Sequence, residues 1–354
     1  MDLKKEIIIG GISAKQKLIL VKQLYAGIKA GHTMLDALNI SYLHANGRLK
    51  QVLGDVIKRV GNGSYLHEAF EIYPKYFPLL FVNLIKTGEV SGSLEDNLQR
   101  LITVVSKEIE FRQKIRSAMT YPTFVLIALI GLSLSVTTFV LPNLLPLFKS
   151  ISAELPVSTK ILLWFSELTK SVGMMLWIYV IIIIFFIVWI SHRKFTQPFF
   201  HYLSLHIPVF GSLNKNMITS QVSRTLHSLL ASGLTLEKSL EISGSIITNY
   251  YYKEILIESV AFVRKGENLS KHFSKYPKYF EQIFVSLVSL GEKTGSLEDS
   301  FAYLAEFYDT EVDEKMKNLA VSLEPILLII VGFLVGFVAL AIIGPIYSLT
   351  GSLR

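Results

Sequence analysis

The chain has 354 residues, of which 51% are hydrophobic, with a mean hydropathy of +0.45 and a formal net charge of +7. That is too apolar for a soluble protein of ordinary charge content, and long enough for two domains plus membrane spans. The absence of cysteine excludes disulfide scaffolds, thiolate catalysis and cysteine-ligated zinc or iron–sulfur sites.

In chain order, residues 1–14 form a short leading segment in which Ile7, Ile8 and Ile9 follow Lys4, Lys5 and Glu6 with no small-residue cleavage site, so no signal peptide is read. Residues 15–116 are expected to fold as a helical domain of about six helices, punctuated by Gly31, Gly61 to Gly63 and Pro74. Its last helix is amphipathic, since Leu94, Leu98, Leu101, Ile102, Val105 and Ile109 share one face. Nothing between Glu108 and Ser117 stops that helix before the next segment. Three stretches without Asp, Glu, Lys or Arg follow at Ser117 to Phe148, Ser171 to Ser191 and Pro325 to Leu353, each long enough for a bilayer core that takes about 20 helical residues. The predicted spans are therefore 117–145, 171–191 and 323–347. Between them lie a 146–170 loop, a 192–213 interfacial connector and a second helical domain at 214–322, and a 348–354 tail ends the chain.

The second domain copies the first. Tyr73-Pro74-Lys75-Tyr76-Phe77 returns as Tyr276-Pro277-Lys278-Tyr279-Phe280, and Gly88-Glu89 with Gly92-Ser93-Leu94-Glu95-Asp96 returns as Gly291-Glu292 with Gly295-Ser296-Leu297-Glu298-Asp299. The offset is 203 in both, and 202 for Gly31 against Gly233. The period is a whole domain plus its following apolar helix, far beyond a solenoid repeat. Two copies of one fold with one flanking helix face the same side only if an extra span returns the chain, which is the part expected of 171–191.

Lys and Arg decide the side. Residues 1–118 hold 17 of the 35 and residues 192–322 hold 14, whereas the 142–170 connection holds three and the tail only Arg354. The clusters nearest the spans, Lys107 to Arg116, Arg193 with Lys194, and Lys315 with Lys317, place both domains in the cytoplasm and the C-terminus outside. The excess positive charge thus reports orientation, and no nucleic-acid partner is expected.

Chemistry-bearing motifs are few. Ser93 and Ser296 stand where a helix begins, with Asp96 and Asp299 able to reach back as caps. Glu89 and Glu292 precede the turn glycines, free to pair with Lys86 and Lys293 or to contact a partner; with Glu95, Glu298 and Glu324 they are the partner-binding candidates. Glu324 is read as a boundary residue at the N-terminus of the third span, with Pro325 in its first turn. Gly291-Glu292-Lys293-Thr294 lacks the spacing and preceding strand of a phosphate loop. The eight histidines never take the paired spacing of a zinc hydrolase, and no nucleophile with its base is recognisable. An enzyme, a cofactor and a metal site are not expected. Gly131, Gly332 and Gly336 are small residues on span faces, the pattern by which spans pack against one another or against copies in a homo-oligomer.

Two helical domains of this size, each with the Gly-Glu-x-x-Gly-Ser-Leu turn and a Pro-led apolar helix, resemble the type II secretion system F family. Thr120-Tyr121-Pro122, Ile207-Pro208-Val209-Phe210-Gly211, Glu324-Pro325 and Gly344-Pro345 add to the resemblance, which covers nearly the whole chain. It implies an all-α inner-membrane platform for a type II secretion or type IV pilus machine, whose filament is a secretion pseudopilus, an adhesive pilus or a competence pilus. Its partners would be a hexameric assembly ATPase, pilin or pseudopilin subunits, other inner-membrane assembly proteins and the lipid bilayer. The competing reading is a small-solute transporter or pore formed by an oligomer; the absence of intramembrane charge counts against it.

Overall fold

The computed structural model describes residues 11–135, 196–207 and 210–352, with 182, 185, 186, 189, 190 and 193; some side chains within 118–134 and 319–352 are outside that description. All regular structure among the described residues is helical. The chain divides into two compact units, one of Met1–Lys114 with His201–Glu314 and one of Ile115–Phe200 with Lys315–Arg354.

The first copy comprises α1 (Ala14–Lys29), α2 (Met34–His44), α3 (Gly47–Gly61), α4 (Leu66–Glu71), α5 (Leu79–Ser91) and the start of α6 (Leu94–Ser135). After the short α7 (Gln197–His206), the second repeats it with α8 (Phe210–Ala231), α9 (Leu236–Ile246), α10 (Tyr250–Arg264), α11 (Leu269–Phe273), α12 (Gln282–Thr294) and α13 (Leu297–Ser352). The starts of equivalent helices use the same chemistry. Thr33 Oγ1 accepts the Asp36 N–H at 3.1 Å to open α2, and Thr235 Oγ1 accepts that of Lys238 at 3.3 Å to open α9. Two residues join α2 to α3 and three join α9 to α10, which is where the repeat offset changes from 202 to 203.

Each copy is built around a triplet of phenylalanines. Phe70, Phe77 and Phe81 have ring centroids 4.4–5.5 Å apart, and Phe273, Phe280 and Phe284 sit 4.5–5.3 Å apart. Tilted and edge-on pairs at these distances each add about 0.5–1.5 kcal/mol beyond area burial. The amphipathic stripe read from the sequence faces this core, with Leu98, Leu101 and Val105 buried in one copy and Phe301, Leu304, Tyr308 and Val312 in the other. The repeated Tyr-Pro-Lys-Tyr-Phe motif supplies one triplet ring and a tether. Tyr73 Oη donates to Asp55 Oδ2 at 2.8 Å, and Tyr276 Oη donates to Glu258 Oε2 at 2.6 Å.

The two copies pack as one body. α5 lies against α9, and Leu229 and Ile242 of the second copy complete the core of the first. Lys114 Nζ donates to both Asp313 oxygens at 2.7 Å, and Lys107 Nζ lies 4.0 Å from Asp309. The sequence reading of two separate bundles is thus incomplete, because apolar residues on the outside of one copy serve as core for the other.

One boundary read from the sequence is corrected. The backbone is helical from Leu297 through Pro325 and on to Ser352, so Glu324 lies inside α13 and has no helix-terminal dipole beside it. The sequence cue failed because proline at a first turn and proline within a long helix look alike when no cap residue precedes either. Among the residues whose side chains are described, no helix is long and apolar enough to cross a membrane. The expected span 171–191 and loop 146–170 fall almost wholly outside the described residues.

Candidate functional site

The Gly-Glu-x-x-Gly-Ser-Leu turn is built the same way twice. α5 ends at Gly92 with φ +72° and α12 at Gly295 with φ +70°, a left-handed conformation that glycine adopts without a Cβ penalty. This reverses the chain so that the next helix crosses tightly over Gly88, where an added Cβ would stand 2.9 Å from Leu94 Cα; at Gly291 it would strike Ser300 and Leu297. Both glycines are fixed by close approach.

Glu89 lies between Gly88 and Gly92, and its side chain is 13% exposed. Its Oε1 accepts the Leu66 N–H at 2.7 Å, and its Oε2 accepts the His67 N–H at 3.0 Å and His67 Nδ1–H at 2.6 Å. Glu292 repeats this on α11, accepting from the N–H groups of Leu269 and Ser270 and from Ser270 Oγ. Neither Tyr65 nor Asn268 caps its helix through its side chain, so the carboxylate arriving from 22–23 residues away takes that role. The local pairing with Lys86 and Lys293 suggested by sequence is replaced by these contacts.

The other candidates differ from this pair. Glu95 is exposed, 4.0 Å from Lys29 Nζ. Glu298 is also exposed, and only its backbone carbonyl is engaged, accepting from His227 Nδ1 at 3.2 Å. The side chain of Glu324 is outside the described residues. Gly131 and Gly332 are exposed and Gly336 half-exposed, and a Cβ at any of them would meet no atom within 4 Å among the described residues. The Ser93 and Ser296 hydroxyls are engaged locally, 2.6 Å from those of Ser91 and Thr294.

A cavity of about 820 Å³ opens between the copies, its walls including Lys107, Phe111, Lys114, Arg224, Asp309 and Asp313. The charges answer one another: Lys114 is held above its usual value by the Asp313 carboxylate, and Arg224 bonds Asp309. Sequence reasoning missed this cluster, because the partners come from α6, α8 and α13. It also missed the tyrosine tethers, for which a signal existed: Asp55 and Glu258 are both acidic at the repeat offset of Tyr73 and Tyr276.

A family model described as type II secretion system (T2SS), protein F, matches residues 20–142 and 222–345, once on each copy. The chain belongs to that family. Its match to a type IV pilus assembly protein PilC of Thermus thermophilus is 32% identical over 97% of this chain and 84% of that protein. A PilC of Myxococcus xanthus is 28% identical, covering 98% and 83%. A type II secretion system protein F of Aeromonas hydrophila is 27% identical, covering 96% and 87%. Family and repeat coincide, since the two matched segments begin 202 residues apart and end 203 apart.

Proposed function

We propose that this chain is the inner-membrane platform of a type IV pilus or type II secretion machine, coupling a cytoplasmic assembly ATPase to the insertion of pilin or pseudopilin subunits into a filament. The observation that carries the reading is the match of both copies to one family, along nearly the whole chain, with relatives named for pilus assembly and for secretion. Three spans, with both copies in the cytoplasm, fit the basic clusters at 107–116, 193–194 and 315–317. Packing of the two copies into one body supports a mechanism in which an ATPase turns or tilts that body as a whole. Each copy then delivers the movement through a helix that leaves it without a break, α6 over 42 residues and α13 over 56.

The orientation is tested with single cysteines in this cysteine-free chain, labelled from outside intact cells by an impermeant maleimide. Ser152→Cys should label, whereas Ser64→Cys and Ser274→Cys should label only after the cells are opened; Ser274 is chosen because it is exposed, while Ser270 is buried against Glu292. Label on the two domains in intact cells overturns the topology and the ATPase contact together. Copurification of a pilin-like subunit and an ATPase with the tagged chain tests the partners.

A further inference from the structure

The contact between the two copies is heterologous: the first offers its α5 face and the second its α9 face. The counterparts of those faces are α12 on the second copy and α2 on the first. Among the described residues, exposure shows that both remain uncovered. On α9, Ile242 is 2% exposed, while its counterpart on α2, Ile40, is 40% exposed and its neighbour Leu43 is 74% exposed. On α5, Leu80 is 8% exposed and Leu84 fully buried, while on α12 their counterparts Ile283 and Leu287 are 37% and partly exposed. Leu290 completes that α12 stripe at 55% exposure, on the i, i+4, i+7 spacing of one helix face. A shallow groove of about 500 Å³ runs beside it, lined by Val285 and Leu290 between Lys271 and Lys293.

We propose that a second copy of this chain docks its α2 face, through Ile40 and Leu43, on the α12 face formed by Ile283, Leu287 and Leu290. The internal contact is a working example of this pairing between homologous elements, and each chain carries one unused half at either end. A heterologous pairing of this kind propagates from chain to chain until its rotation closes. Apolar stripes left open on both halves are what such a contact buries.

The test uses the full chain in lipid nanodiscs or native membranes. Ile40→Cys and Ile283→Cys are made as separate variants, mixed, and oxidised. A disulfide-linked dimer should form in the mixture and in neither variant alone, and a chain carrying both cysteines should give a ladder of higher species. Dimers from Ile283→Cys alone would mean a self-complementary interface, and no linked species in the mixture would mean that α2 does not reach α12; either overturns the proposal. As an independent check, Leu290→Glu, at a position open enough to spare the fold, should reduce the oligomer at least tenfold in population with an unchanged thermal midpoint. An unaltered oligomer also overturns the proposal.

Discussion

Glu89 and Glu292 each accept hydrogen bonds from two backbone N–H groups in the first turn of a short helix whose N-cap side chain makes no capping bond of its own. Removing either carboxylate leaves donors orphaned in a nearly closed site, a cost of about 1–3 kcal/mol. Glu89→Ala and Glu292→Ala should each lower the thermal midpoint of the purified chain, and the Gln variants should do so less because one acceptor remains. A midpoint unchanged by Ala, with filament assembly lost, would assign the residues to a partner instead. His272 carries a pH dependence: burial holds its imidazole below the ordinary value of 6.5, and its Nε2 donates to the Ile255 carbonyl at 3.3 Å. As pH falls, the unfolded chain takes up the proton first, so the stability of the neutral native ring is complete above 6.5 and is lost as pH drops through its lowered native value. His201 shifts in the same direction through burial. The midpoint should therefore fall as the pH is lowered through and below the ordinary histidine range, and His272→Gln should flatten that slope; an equal slope in the variant would place the effect elsewhere. The importance of the glutamates was legible in the sequence as a repeated motif, but their contacts were not, because the donors lie 22 and 23 residues upstream on a helix of five or six residues.

At the scale of elements, sequence periodicity located the core stripe of α6 and α13 because burial on one side of a helix follows a 3.6-residue rhythm. It was blind to the contact between copies. Ile40 and Ile242 are the same residue at matching positions, and what separates 40% from 2% exposure is the neighbouring helix. Helix ends were legible where glycine turns left-handed, as at Gly92 and Gly295, and misread where proline sits within a continuous helix. The small face of α13 belongs to this scale too. Because a Cβ at Gly332 or Gly336 meets nothing within 4 Å among the described residues, replacing both by Leu should leave the thermal midpoint in place while size-exclusion in mild detergent reports a smaller oligomer. A fallen midpoint with the oligomer intact would show instead that the glycines pack within the chain.

For the whole molecule, duplication is the organising fact, and it survives in detail: the phenylalanine triplets, tyrosine tethers, glutamate caps and left-handed glycines all occur twice. It extends to Pro122 and Pro325, which stand at the repeat offset inside α6 and α13. A proline offers no N–H to the carbonyl four residues before it, here that of Ala118 and that of Val321. In elastic terms each helix is a rod with a notch, and both notches are cut at the same residue count from the turn glycines Gly92 and Gly295. A rod of uniform stiffness bends evenly along its length, whereas a notched one yields first at the notch, so each helix is most compliant at its proline.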